Sequence, residues 1–257
     1  MNNEENKMKG KKGLVVGIAN EHSIAWGCAH ALHKAGAELA ITYQNEKTKG
    51  YVAPLAEIVD AKIFAPLDIT NESQLTALVD EIKNHWGRID FLLHSIVYAP
   101  KSDLQGRVVD SSREGFLTAM DISCHSLVRL AKAAEQLMNG GAILTMSYYG
   151  SEKVVPHYGI MGPVKAALEA TVRYLAVELG LKNIRVNALS PGPVKTRAAS
   201  GLTHFDILME TVARNSPLHD LVTLEQIGEA SVFLMSDNAK NITGQIIYVD
   251  NGYHVKG

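Results

Sequence analysis

Cysteine is scarce in this sequence: Cys28 and Cys124 are the only two among 257 residues. They stand far apart, so no disulfide framework is expected, and such usage suits a reducing compartment. Long apolar runs are missing as well, and none approaches the roughly 18 residues of a membrane span. Residues 1–12 are polar and charged and carry no apolar stretch of a secretory leader. Neither sign of charge is in excess. Lysine and arginine number 25 against 27 aspartates and glutamates, a net of −2, which leaves no electrostatic footprint for nucleic acid. The one basic cluster, Lys7, Lys9, Lys11 and Lys12, reads as a solvated tail. Ten histidines include His30 and His33, yet no His-Glu-x-x-His or Cys-x-x-Cys occurs, so no metal site is expected. The Gly-x-Ser-x-Gly elbow of a hydrolase is absent too. Cys124 and His125 are neighbours that face different ways on a helix, which removes them as nucleophile and base. Disorder is excluded by an apolar share of 46%. What remains is a globular, cytoplasmic protein of one or two domains with no particular chemistry.

What is present is an alternation. Short β-prone apolar runs at 13–19, 38–44, 62–68, 91–97, 142–147, 185–190 and 245–249 are nearly continuous, as strands covered on both faces are. Helical patterns fill 23–36, 46–59, 73–86, 113–138, 158–180 and 224–236. Ser23 and Asn71 read as N-caps, and Gly36, Gly87 and Gly180 as stops. The alternation predicts an α/β fold, a Rossmann-like doubly wound parallel sheet of seven strands with helices on both faces. We read a polar tail over 1–12 and one domain over 13–257. Segment 191–215, opened by Pro-Gly-Pro, reads as a loop acting as a substrate-side flap.

In such a sheet, ligands bind beyond the carboxyl ends of the strands. The first strand ends at Gly17, and Ser23 and Ile24 open the following helix, whose main-chain N–H groups and dipole suit a pyrophosphate. Gly27 would let that helix pack closely on the sheet. The turn is not Gly-x-Gly-x-x-Gly, so by itself it either cradles a dinucleotide or binds nothing. The second strand ends at Gln44, which can hydrogen-bond a ribose hydroxyl. No arginine follows directly, which favours NAD(H) over NADP(H), although Lys47 is near. Asp68 and Ile69 close the third strand, where they could bracket an adenine. Ile96 closes the fourth, where a ribose or nicotinamide edge would pass.

Beyond the fifth strand come Tyr148, Tyr158 and Lys165. Seven residues of helix turn through about 700°, so Tyr158 and Lys165 could share a face. A lysine beside a neutral phenol can fix a ribose and strengthen the phenol as a donor to an oxyanion. Pro163 lies between them. Either the helix starts near Gly162, or it begins at Tyr158 and is kinked.

Together with Asn187, Pro191-Gly192, Thr243-Gly244-Gln245 and Val249-Asp250-Asn251-Gly252, this arrangement resembles the short-chain dehydrogenase/reductase superfamily. Four features narrow it: Tyr-x6-Lys, Gly17 with Ser23-Ile24 and Gly27, Thr42-Tyr43-Gln44-Asn45, and His94-Ser95-Ile96. So do Ala99-Pro100, Arg113-Glu114-Gly115-Phe116 and Ala198-Ala199-Ser200-Gly201. With these, residues 11–257 closely resemble the divergent bacterial NADH-dependent enoyl-acyl carrier protein reductases. The resemblance implies reduction of a trans-2-enoyl thioester on acyl carrier protein in fatty-acid elongation, NADH as cofactor, and a homotetramer built on the helices at 113–138 and 158–180. It makes Tyr158 the oxyanion donor, Lys165 the ribose anchor and Tyr148 a second active-site tyrosine. It places Gly17, Ser23, Ile24, Gln44, Asp68, Ile69, Ile96, Val194, Lys195, Thr196, Arg197 and Ala198 on the cofactor, and Ala99 on the substrate. Val97 departs from the Gly or Ala usual there. A basic rim for an acidic carrier is thin, limited to Lys195, Arg197 and Arg214. Another carbonyl or imine reductase, or a silent nucleotide-binding protein of this fold, are the competing readings. Tyr148 and the Tyr-x6-Lys spacing weigh against the first, and the retained tyrosine and lysine against the second.

Overall fold

The computed structural model describes residues 7–197, 199, 202 and 204–256. All seven expected strands form, as β1 (Lys12–Val16), β2 (Glu38–Tyr43), β3 (Ile63–Pro66), β4 (Phe91–His94), β5 (Gly141–Met146), β6 (Ile184–Pro191) and β7 (Ile246–Val249). They make one parallel sheet in the order β3-β2-β1-β4-β5-β6-β7. The order reverses between β1 and β4, which opens a crevice at their carboxyl ends. Several strands stop sooner than their apolar runs. β1 ends at Val16 and β4 at His94, and the residues just beyond leave the ladder as the crevice rim.

The helices are α1 (Ile24–Lys34), α2 (Glu46–Ile58), α3 (Glu72–Trp86), α4 (Lys101–Leu104), α5 (Arg113–Met120), α6 (Ser126–Glu135), α7 (Met161–Gly180), α8 (Phe205–Asn215) and α9 (Leu224–Met235). Two buried clusters lie on either side of the sheet, one holding Leu14, Leu92 and Ile143, the other Val15, Leu93 and Leu144. Successive strand residues thus point to opposite faces, and each face is apolar. Among the described residues no helix is long and apolar enough to cross a membrane.

Four expectations need correction. Residues 7–12 are not simply a solvated tail: Met8 is fully buried, its N–H donates to the Ala35 carbonyl at 2.9 Å, and Lys12 begins β1. Segment 191–215 is not all loop, for α8 occupies its second half; Phe205, Leu208, Met209 and Val212 carry helical spacing, and Val212 is buried. The pattern over 113–138 is broken by a π-helical turn at Asp121–His125. Gly180 is the last helical residue of α7 rather than its stop, whereas Gly87 closes α3 in the left-handed conformation.

Candidate active site

The site begins at Gly17. Its φ is +111°, and a Cβ there would fall 2.0 Å from the Ser95 carbonyl oxygen, so β1 and β4 leave the sheet in main-chain contact. Ser23 then precedes α1 in an extended conformation, but its hydroxyl does not cap the helix. The Oγ accepts from the N–H groups of Ala19 at 3.0 Å and Asn20 at 3.1 Å. The turn is thereby tied up, and α1 begins with Ile24 and Ala25 without a side-chain cap. An open helix N-terminus at a switch-point crevice suits an anion.

Gly27 does not serve the sheet. A Cβ on it would meet the Leu224 carbonyl at 2.6 Å, and one on Gly228 would meet the Gly27 carbonyl at 2.6 Å, so the two glycines let α1 and α9 touch backbone to backbone. Gln44 is exposed just past β2. Asp68 Oδ1 accepts from Thr70 N at 2.9 Å and Thr70 Oγ1 at 2.7 Å, a local turn, while Ile69 is buried in the core.

The β4 exit is held from behind. Ser123, on the π-turn, accepts from Tyr98 N and donates to Tyr98 O, both at 2.9 Å. That clamp fixes the chain carrying Ile96, Val97 and Ala99. Such turns often mark functional sites. Nearby, His94 is buried between Thr145 Oγ1 at 2.7 Å and Ser126 Oγ at 2.8 Å. Ser126 gives its proton to the Ile122 carbonyl, so it accepts from Nε2–H, and Nδ1 accepts from Thr145. Burial, with Lys165 nearby, lowers the His94 pKa to about 3. Between about 3 and 6.5 an unfolded chain therefore binds a proton that the folded chain refuses. Stability is predicted to fall as pH drops through that window, by up to about 1.4 kcal/mol per unit. Denaturation midpoints against pH check this, and His94→Gln should flatten the slope.

On the other side of the crevice, β5 delivers Tyr148. Its ring packs on that of Tyr158, with centroids 4.9 Å apart and planes inclined by 59°. Gly150 makes room, since a Cβ there would lie 2.5 Å from the Tyr158 ring. Tyr158 is not on a helix. It sits between His157 and Gly159, both with positive φ, and α7 starts only at Met161. Pro163 thus falls in the first turn, where its missing N–H costs no intrahelical bond. Of the two starts that Pro163 left open, the one near Gly162 is found, so Tyr158 lies on the loop before α7 and Lys165 within the helix. Lys165 is buried on α7, and its Nζ donates to the Met146 carbonyl at 2.7 Å. Burial lowers its pKa to about 8 against the partial support of Cys124 and Glu169. Burial also pushes the Tyr158 phenol well above its ordinary range, with Tyr148 and Glu169 adding to the effect, so the hydroxyl stays protonated. Tyr148 is shifted the same way, chiefly by burial.

Across β6, Ser190 is buried and its hydroxyl has no partner among the described residues, an orphan of the kind ligands satisfy. Val194 is half-buried, Thr196 N donates to Val194 O at 2.8 Å, and Lys195 pairs with Asp206 at 3.4 Å. Arg197 is exposed, and Ala198 lies outside the described residues. The flap helix meets the Tyr158 loop through His204 and His157, ring centroids 4.9 Å apart. Sequence reading missed Ser123 and Glu169. The available signal for Glu169 was a charge on the apolar stripe of α7, where it and Lys165 share a buried face with Leu168, Val172 and Leu175.

A doubly wound sheet with a phenol, a buried ammonium and an open helix N-terminus at its carboxyl edge is the arrangement of a dinucleotide-dependent oxidoreductase. The family model described as enoyl-(acyl carrier protein) reductase matches residues 17–254. The enoyl-[acyl-carrier-protein] reductase [NADH] of Rickettsia felis is 49% identical over 251 residues, covering 97% of this chain and 96% of that one. A solved enoyl-(acyl-carrier-protein) reductase from Anaplasma phagocytophilum, in complex with NAD, is 48% identical with a TM-score of 0.94 over 97% of this chain and 96% of its own. The Bacillus cereus enoyl-acyl carrier protein reductase with NADP+ and indole naphthyridinone has a TM-score of 0.96 at 44% identity, over 98% and 99%. The chain belongs to the enoyl-(acyl carrier protein) reductase family.

Proposed function

We propose that the protein reduces the trans-2 double bond of enoyl thioesters on acyl carrier protein during bacterial fatty-acid elongation, using NADH, and that it works in the cytoplasm. The observation that carries this reading is Tyr148 packed on Tyr158 past the end of β5, where the buried Lys165 is hydrogen-bonded to Met146, with an open α1 N-terminus at the switch-point crevice. Residues 13–257 would act as one NAD-binding unit, with 191–215 as the flap.

The residues fit the cofactor. Gly17, Ser23 and Ile24 would receive the pyrophosphate, Gln44 an adenosine ribose hydroxyl, and Asp68 with Ile69 the adenine. Ile96, Lys165 and the stretch Val194, Lys195, Thr196, Arg197 and Ala198 would line the nicotinamide half, near the unpartnered Ser190 hydroxyl. When bound, NADH supplies the hydride taken up at the substrate β-carbon. Tyr158 would hold the enolate oxygen as its charge grows, until the α-carbon takes up a proton, and burial keeps the phenol protonated for that donation. Tyr148 supports the Tyr158 ring, and Lys165 would hold the ribose. Ala99, on the chain clamped by Ser123, would touch the acyl group.

Absorbance of NADH with crotonyl and longer enoyl thioesters tests the reading. Oxidation is expected, and its absence with every enoyl substrate overturns it. Lys165→Ala is expected to weaken NADH binding on the order of 10- to 100-fold, the worth of charge-assisted hydrogen bonds. Because Lys165 holds its proton only below about 8, wild-type NADH affinity should decline as pH rises through that value, and the variant should lose that decline. Equal affinities would refute the anchor.

A homotetramer accords with the outer face of α7 and its end, where Tyr174, Val177 and, just past the helix, Leu181 are 73%, 78% and 92% exposed. Sedimentation measures it directly. Carrier docking would draw on Lys195, Arg197 and Arg214.

A further inference from the structure

Glu169 is a carboxylate with 4% exposure, one helical turn beyond Lys165 on α7. Burying such a group is costly unless it is hydrogen-bonded and faces positive charge. Two hydroxyls supply the bonds. Ser147 donates to Glu169 Oε1, and Ser151 donates to the same oxygen at 2.6 Å. These serines bracket Tyr148-Tyr149-Gly150, the turn by which β5 hands Tyr148 to the crevice. Ser151 N–H closes the turn on the Tyr148 carbonyl at 2.9 Å. The carboxylate therefore ties down both ends of the segment whose ring packs on Tyr158.

The same carboxylate acts on Lys165. Around that ammonium stand Cys124 from the π-turn, His94 from β4 and Glu169 from its own helix. Among these neighbours Glu169 is the carboxylate, and it lies one turn from Lys165 on the same buried face of α7. Tyr158 and Tyr248 also lie within its electrostatic reach.

We propose that Glu169 is the positioning residue of this site, fixing the Tyr148 turn through Ser147 and Ser151 and serving as the buried counter-charge of Lys165. The inference rests on the roles given above to Tyr148, Tyr158 and Lys165.

Three variants separate the two jobs. Glu169→Gln keeps an oxygen that both hydroxyls can reach but removes the charge. Its alkaline decline in NADH affinity should move to lower pH by on the order of half a unit or more. Glu169→Ala removes bonds and charge, and kcat/KM for the enoyl thioester should fall at least about tenfold. Paired Ser147→Ala and Ser151→Ala removes the ties and keeps the carboxylate. It should lower kcat while leaving the pH limb of NADH binding in place, and it remains informative if Glu169→Ala does not fold. An unmoved pH limb in Glu169→Gln overturns the counter-charge role. Wild-type kcat in the paired serine variant overturns the positioning role. The NADH-binding measurements need no enoyl substrate, so a failure of enoyl reduction in the wild type is read separately.

Discussion

Tyr158→Phe is expected to lower kcat on the order of 100- to 1000-fold while changing NADH affinity by no more than about threefold. A donor aimed at a developing oxyanion contributes about 3–4 kcal/mol to the transition state and little to the ground state. Removing one oxygen leaves the ring, and with it the 4.9 Å packing on Tyr148 that shapes the crevice wall. Binding should survive and turnover should not. The pH profile gives a second check. The phenol is pushed above its ordinary range, so the decline near pH 8 belongs to Lys165 and should persist in the variant. Stopped-flow reduction and NADH fluorescence titration measure the two quantities. Equal losses in both would remove Tyr158 from the donor role.

The second large effect is on the fold. Gly17→Ala places a methyl group 2.0 Å from the Ser95 carbonyl at a φ of +111°, a region that L side chains avoid. Backbone strain and overpacking together should cost about 3–5 kcal/mol. That is a large share of the roughly 5–15 kcal/mol that holds a domain together. Because β1 and β4 can only relieve the overlap by separating, the crevice should widen and NADH binding should fall with stability. Gly50→Ala is the contrast. Gly50 lies within α2 with nothing near its Cβ position, so alanine should stabilise by about 1 kcal/mol. Chemical denaturation of both variants decides, and comparable stabilities would show that the strand exits are not locked at Gly17.

The sheet was legible because its strands are buried on both faces. Runs such as Leu14 to Val16 and Phe91 to Leu93 are continuously apolar, and only parallel order with helices on each side satisfies that. Residues at strand ends were legible for the same reason, since a run that stops marks the crevice. Geometry set by long-range partners was not. Gly27 was read against the sheet, and nothing local to it announces α9. Sequence alone leaves the start of the helix carrying Lys165 open between Gly162 and a kinked start at Tyr158; Pro163 in the first turn, with the left-handed His157 and Gly159, puts it at Met161, as the first alternative has it. Ser123 gave no signal, because a π-turn adds one residue without changing composition. Glu169 gave a signal of a weaker kind: a charge on an apolar stripe says that a partner exists, and not which one.

The contact between Gly27 and Gly228 also bears on the order of synthesis. The helix that opens the crevice is made early, but the backbone it leans against emerges some two hundred residues later. Until α9 arrives, the face of α1 around Gly27 lacks the backbone it is seated on, and the edge strand β7 is still to come. A nascent chain therefore carries an unfinished crevice through most of translation. Such long-range closure slows folding and lengthens the time that apolar strands stand uncovered. A chain cut before Leu224 would keep every residue assigned here to the cofactor and still lack the helix against which α1 is seated.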